Sequence, residues 1–285
     1  MTTCHTTLRG LPLRIGAMQT PRDARCLGLA LALGLGLLAA AAAAPAAAWT
    51  PATQTTIARE AARLAPPDLA RQIARRERAY EAGVAAPFED ADPARHMKNE
   101  DGSGTLDRAL EDEIAGAVRA IHDHHPFDEV VRRLGAVSHF VADANDPLAT
   151  SAADPEEGRY FADFLRYAES AEPRFQLVFY GLPARLEGER DVRALLAETL
   201  RRGRRLYPLV GREYRRIDFA SGVAAFDDHS TAFGVASLAF SHAVTDVASV
   251  LRYIWLRAGG GDSRSGLAAT GSRVVLLPRA VRAAP

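Results

Sequence analysis

His139 and Asp143 stand four residues apart in the largely apolar run Leu134 to Ser151, which reads LGAVSHFVADANDPLATS. On a helix, residues i and i+4 leave the same face one turn apart, so an imidazole and a carboxylate there can grip one cation. They can also simply hydrogen-bond to each other, and the spacing does not choose between a metal site and a buried, satisfied histidine. Forty-three residues earlier, His96 sits amid Pro87, Pro93, Gly102, Gly104 and many acids, including Glu89, Asp90 and Asp92. That composition reads as a loop from Val84 to Gly104, and polar groups on loops tend to be functional.

The elements that must position these groups are helical nearly throughout. From Thr50 to about Trp255, apolar residues recur at three- and four-residue spacings, which predicts a single all-α domain, a multi-helix bundle over residues 49–258. A first helix is expected from Pro51 or Thr53 to the Pro66-Pro67 break, and a second from Asp68 to Ala82. After the loop come a helix from Leu106 to about His124 and the His139/Asp143 helix from Asp128, its expected N-cap, to Asn145. Further helices are predicted from about Glu156 to Ser170, Asp191 to Tyr207, and His229 to Ala258, with Asp227 or Asp228 capping the last. Arg174 to Gly181 is the most strand-like run. The tail 259–285, rich in Gly, Ser, Ala and Arg, is expected to be disordered apart from the apolar Val274 to Leu277.

Residues 1–48 read as a targeting segment. Arginines at 9, 14, 22 and 25 precede an apolar stretch from Leu27 to Ala44, then Pro45 and Ala46-Ala47-Ala48. This is the pattern of a secretory signal peptide, with Met18 as an alternative start. An uncleaved anchor is the competing reading, since about 18 apolar residues just span a bilayer. Cleavage after Ala48 removes Cys4 and Cys26, so the expected product is a secreted, periplasmic or extracellular, chain with no thiolate ligand and no transmembrane segment. Any metal must then be held by nitrogen and oxygen, a set suited to catalytic zinc. The 237-residue remainder holds 31 basic and 34 acidic residues, a net charge of −3, so it has no global attraction to nucleic acid.

The order Leu-Gly-x-x-x-His-Phe-x-x-Asp-x-Asn-x-Pro-Leu resembles the signature of the zinc-dependent phospholipase C and S1/P1 nuclease superfamily, LGxxxHyxxDxxqPlH. The likeness extends to the opening block WTPATQTTIAREAA from Trp49, to YEAGVAAPFED and to RHMKNEDG. It covers most of residues 49–181 and, more weakly, Phe226 to Gly260. It implies an all-α fold, a three-zinc centre and hydrolysis of phosphate esters. It also implies that processing leaves Trp49 as the first residue, its α-amino group and carbonyl binding one zinc. His96, His139 and Asp143 are carried over as metal ligands, with Asp90 preferred among Glu89, Asp90 and Asp92 as the missing carboxylate and as general base.

The departures are specific. Gln54 stands where the family has a zinc-binding histidine, Phe88 where it has an aspartate, and Ala149 where it has the final histidine of Pro-Leu-His. The following helix offers only Glu157, Asp163 and Glu169, with no histidine. One zinc site therefore survives in outline, two nitrogens and two oxygens, and the part of the cluster that holds water between two ions is largely missing. Two functional expectations follow. The first is a secreted zinc-dependent hydrolase of phosphate esters, phospholipase C-like, acting on phospholipid or another phosphate ester, with a P1-type nuclease less favoured by charge. The second is a non-catalytic relative that keeps the fold for binding.

Three other groups have simpler readings. His122-Asp-His-His ends a helix, where imidazolium suits the C-terminal dipole. His242 and Asp246 repeat the four-residue spacing on a very apolar helix and read as a buried pair, with a pocket-facing position as the alternative. The arginines of 201–205 and 212–216 read as a solvated helix face, with phosphate or anionic lipid as the alternative partner.

Overall fold

In the computed structural model, residues 48–183, 186, 188–261 and 274–279 are described. They form an all-α, multi-helix fold with one two-stranded sheet. The helices are α1 Pro51–Ala62, α2 Pro67–Arg75, α3 Glu77–Ala85, α4 Leu106–His122, α5 Phe127–Asn145, α6 Phe161–Ala171, α7 Glu189–Arg216, α8 Gly222–Ala225 and α9 Thr231–Arg257. Strands β1, Leu177–Phe179, and β2, Val275–Leu277, pair antiparallel with Val178 opposite Leu276. The expected signal segment lies outside the described residues except for Ala48, as does most of the tail; the apolar run set apart within that tail is β2.

Two helices form the core. From Val137 to Asn145 every residue of α5 is buried, so this helix end is enclosed on all sides. Helix α9 passes for a membrane span by length and mean hydropathy, but 78% of its most apolar window is buried within the protein. It packs against α1, α5, α7 and β1. Inside such helices every polar group must find its partner in the protein. Ser138 Oγ donates to Leu134 O and meets Tyr80 Oη, and Asn145 Nδ2 donates to Val141 O.

Helix α3 lies against α5 at glycine-to-backbone distance. A Cβ on Gly135 would sit 2.1 Å from Tyr80 O, and one on Gly83 would sit 1.9 Å from Arg132 O. Only glycine at both positions allows this approach, which brings the end of α3 beside His139.

Four expectations are corrected. The second predicted helix is two, broken at Arg76, whose non-helical backbone (φ −129°, ψ 32°) turns the chain. No local breaker explains this; Arg76 instead reaches α5, pairing with Asp128 at 2.7 Å and lying over the Phe127 ring. Asp128 is therefore not the cap of α5. Pro126 holds that position, and Asp128 and Glu129 lie in the first turn, where the helix dipole favours them. Helix α7 continues through Pro208 to Arg216, because Tyr207 before it and Val210, Gly211 and Tyr214 after it are buried and hold the helix together. Ser230, not Asp227 or Asp228, caps α9 by accepting from Phe233 N.

The arginine face of α7 is partly committed within the protein. Arg202 pairs with Asp246, Arg215 with Asp154 and Glu156, and Arg216 with Glu213. Arg204 donates to the carbonyls of Lys98, Asn99 and Thr150. His122 lies in the last turn of α4, as expected, and His125 Nδ1 meets Glu129 at 3.0 Å.

Candidate metal centre

Helix α5 presents His139 and Asp143 from one face, one turn apart, and both are fully buried. His96 arrives from the 3₁₀ turn Pro93–His96, which opens with Asp92 accepting from Ala94 N. The segment after it is pinned by Lys98 N donating to Ala149 O at 2.9 Å and by the three Arg204 contacts. His96 is 3% exposed. The carboxylate and two rings thus meet in a closed interior, as the motif spacing predicted for His139 and Asp143.

The three ligand atoms converge. His96 Nδ1 lies 2.7 Å from Asp143 Oδ2, His139 Nε2 lies 3.2 Å from the same oxygen, and the two ring nitrogens are 3.3 Å apart. Tetrahedral zinc with bonds of about 2.0–2.1 Å needs ligand atoms about 3.3 Å from one another. Two of the three edges already match, and the third must open by about 0.6 Å. The buried His96–His139–Asp143 group could therefore hold a metal ion.

The outer side of each ring fits the same use. His139 Nδ1 donates to Val84 O at 2.8 Å, which directs the Nε2 lone pair inward. His96 is hydrogen-bonded to the Pro87 backbone as well as to Asp143. The Val84 carbonyl on the far nitrogen of His139 is the support that metal-binding histidines ordinarily have, and the Pro87 carbonyl lies close to His96. Both carbonyls come from the end of α3 and the turn after it, the segment that Gly83 and Gly135 allow close to α5.

Burial pushes the Asp143 carboxyl up, but the charge and hydrogen bonds of His139 and His96 outweigh it and hold the group below its usual range. Burial pulls His96 down, and the Asp143 hydrogen bond and charge, the Asp90 charge and the Pro87 backbone contact carry it above its ordinary value.

Asp90 stands outside this inner group. Its Oδ2 lies 3.9 Å from His96 Nε2 and 2.6 Å from Arg95 Nη1. Glu89 is exposed and Asp92 is used as the turn cap. Trp49 is fully buried, and its indole donates to Ala142 O at 3.0 Å, so it packs beside the turn that carries Asp143. The three departures are now concrete. Gln54 Nε2 donates to Asp143 Oδ1 at 2.6 Å, while its Oε1 is buried without a partner. Phe88 meets His139 edge to face at 4.6 Å, and Ala149 is buried. On the α6 side, Glu157 is bonded to Tyr207 and Asp163 to Tyr214 and Gly222 N, while Glu169 is exposed.

Sequence reading missed three supports of the centre: the Gln54 amide, the Val84 carbonyl and the Arg204 clamp. A backbone carbonyl leaves no mark on residue type, and Arg204 was one arginine in a run of similar ones. No protein-family model matches the chain, and no curated protein sequence matches it.

Proposed function

We propose that this chain is a secreted, divergent relative of the zinc-dependent phospholipase C and P1 nuclease superfamily, binding one zinc ion at His96, His139 and Asp143 and hydrolysing phosphate esters. The observation that carries the reading is the convergence of three lone-pair donors at near-tetrahedral spacing, with a backbone carbonyl behind the His139 ring. When bound, the ion would supply a Lewis acid for a phosphoryl oxygen and lower the pKa of a bound water. Asp90, partly exposed near the outer nitrogen of His96, is the candidate general base, one that would have to act on the attacking water through an intervening water. Arg95 holds that carboxylate and carries positive charge toward the same side. Gln54 fixes the Asp143 carboxylate by its second oxygen. A phospholipid or another small phosphate ester is the substrate class, since the net charge of −3 on the expected mature chain gives no general pull on nucleic acid.

A second reading, a binding protein without catalysis, is favoured by the enclosure of the centre. His139 and Asp143 are inaccessible to solvent, Phe88 covers one ring, and the alanine at 149 offers no ligand. The two separate in one preparation: protein purified with Trp49 as its amino terminus is assayed for zinc content and for turnover of a phosphodiester and a phosphocholine ester. About one zinc per chain with turnover lost in His139→Ala supports the hydrolase. Zinc without turnover leaves the binding protein, and less than about one zinc per chain removes the hydrolase reading.

A further inference from the structure

The second His-x-x-x-Asp pair leads to a different site. Helix α9 is apolar almost throughout, yet His242, Thr245, Asp246 and Ser249 follow one another at i, i+3, i+4 and i+7, a polar stripe on one face. This stripe lines a cavity of about 350 Å³. The opposite walls are Leu195 and Arg202 of α7 and the segment Tyr180 to Pro183 that follows β1. A pocket of this size, mostly apolar with a few convergent polar groups, has the form of a small-molecule site.

The expected His242–Asp246 pair does not form. Asp246 Oδ2 instead accepts from Asn145 Nδ2 at 3.2 Å, from Thr199 Oγ1 at 2.8 Å and from Arg202 Nη2. His242 stacks on Tyr180 with ring centroids 4.0 Å apart and planes 14° from parallel. Thr245 accepts from Tyr180 N, and Ser249 donates to Thr245 O, so the hydroxyls of the stripe are already used in holding the wall.

The charged pair is used on one side only. Arg202 Nη2 and Asp246 Oδ2 face each other and their supporting amide and hydroxyl groups. Among the described residues, Arg202 Nη1 and Asp246 Oδ1 have no hydrogen-bond partner, and Arg202 Nε is buried without one. Both residues line the cavity, so it offers a ligand a cationic donor and an anionic acceptor from one ion pair, with a net charge of zero. A ligand with a net charge would leave an uncompensated charge in this half-closed space, whereas one with adjoining opposite charges matches both groups. Burial, with the charge of Arg202 second, keeps His242 neutral down to a pKa of about 4, so the stacked ring adds no third charge.

We propose that this pocket binds a small zwitterion, an apolar α-amino acid, with its carboxylate on Arg202 Nη1, its ammonium on Asp246 Oδ1, and its side chain against Leu182, Pro183, Leu195 and the Tyr180–His242 stack. The proposal is independent of the metal centre and of phosphate-ester hydrolysis. It assigns a function to the His242/Asp246 repeat that the catalytic reading leaves unused.

Isothermal titration calorimetry tests it on the Trp49-to-Pro285 protein, in excess chelator so that amino-acid binding to a metal cannot contribute. The probes are L-leucine, L-phenylalanine and L-methionine, 4-methylpentanoate, which lacks the ammonium, and isopentylamine, which lacks the carboxylate. At least one amino acid is expected to bind, with both single-charge analogues weaker than leucine by about tenfold or more. Asp246→Asn should bring leucine down to the level of 4-methylpentanoate. Because that substitution touches a buried ion pair, His242→Trp is the second variant: it fills the pocket without touching the pair and should abolish binding while leaving the thermal melt in place. No binding by any of the three amino acids at about 10 mM would overturn the proposal. So would 4-methylpentanoate or isopentylamine binding as tightly as leucine, or undiminished binding in a folded His242→Trp.

Discussion

Zinc added to metal-free protein should raise its melting temperature, and His139→Ala should abolish the rise. The expected size follows from the geometry. The ligand atoms already sit within about 0.6 Å of a tetrahedral arrangement, so little binding energy is lost to rearrangement. With three protein ligands and water as the fourth, a dissociation constant on the order of 1 μM is reasonable, about −8 kcal/mol. At about 100 μM free zinc, a hundredfold excess over that constant stabilises the folded state by about 2.7 kcal/mol. For a chain of this size, about 2–4 °C per kcal/mol turns this into a rise of about 5–11 °C. His139→Ala also weakens the metal-free protein, by about 2–4 kcal/mol, because it empties a buried site and strips the Val84 carbonyl of its donor. The decisive quantity is therefore the zinc-induced difference within each variant, read by scanning calorimetry. Exposed His122→Ala should keep the full rise. A wild-type rise under about 1 °C, or an equal rise in His139→Ala, would refute the assignment of the centre.

Gly135→Ala should destabilise the protein by about 1–3 kcal/mol, since its methyl would collide with Tyr80 O, and it should weaken zinc binding by displacing the Val84 carbonyl; chemical denaturation and zinc titration of the same variant check both effects. Stability should fall as pH drops from about 6.5 to about 4, because His242 is held neutral when folded and takes up a proton on unfolding. The full shift corresponds to about 3 kcal/mol, reduced to about 1–2 for a ring that keeps some solvent contact. Urea denaturation across that range should lose this slope in His242→Gln, and an unchanged slope in the variant contradicts the assignment. Pro208 is exposed inside α7, so Pro208→Ala restores a helical donor and should stabilise by about 1–3 kcal/mol, read as a higher urea midpoint at constant m-value.

The helices were legible because their apolar periodicity is strong and Pro66-Pro67, Pro126 and Asp146-Pro147 punctuate them. Where the reading failed, a tertiary contact overrode a local rule. Arg76 broke a helix to reach Asp128 and Phe127, and buried residues on both sides of Pro208 carried α7 through it. At the site, His139, Asp143 and His96 were visible as residue types at suggestive spacings. Their convergence was not, because it depends on two glycines letting α3 approach α5 and on an arginine 108 residues beyond His96 holding its loop. Asp90 shows the limit of motif transfer. One residue position along a loop decides whether a carboxylate faces the inner or the outer nitrogen of a histidine, and here it stands 3.9 Å from the outer one.

The two His-x-x-x-Asp pairs make the general point within one molecule. Both lie on long buried helices at the same spacing, and the pattern alone gives them one meaning. On α5 the facing segment brings a second imidazole to the aspartate, so three lone pairs meet and a proton or a cation must lie among them. On α9 the facing helix brings a guanidinium, which claims one aspartate oxygen and releases the histidine to stack on Tyr180. The opposing side chain and its charge, not the spacing, separate a candidate metal centre from an ion pair. Replacing that charge should therefore change the chemistry of the pair. Arg202→Met leaves Asp246 buried with only neutral donors, and its carboxyl, already pushed up by burial, should rise further once the guanidinium that lowers it is gone. Asp246 would then fold protonated, and the variant should lose stability as pH rises from acid toward neutrality, when that proton must be kept at increasing cost. Urea denaturation at acid and neutral pH measures it, and a variant as stable at pH 7 as at pH 5, relative to wild type, would show that Arg202 does not set the charge of this pair.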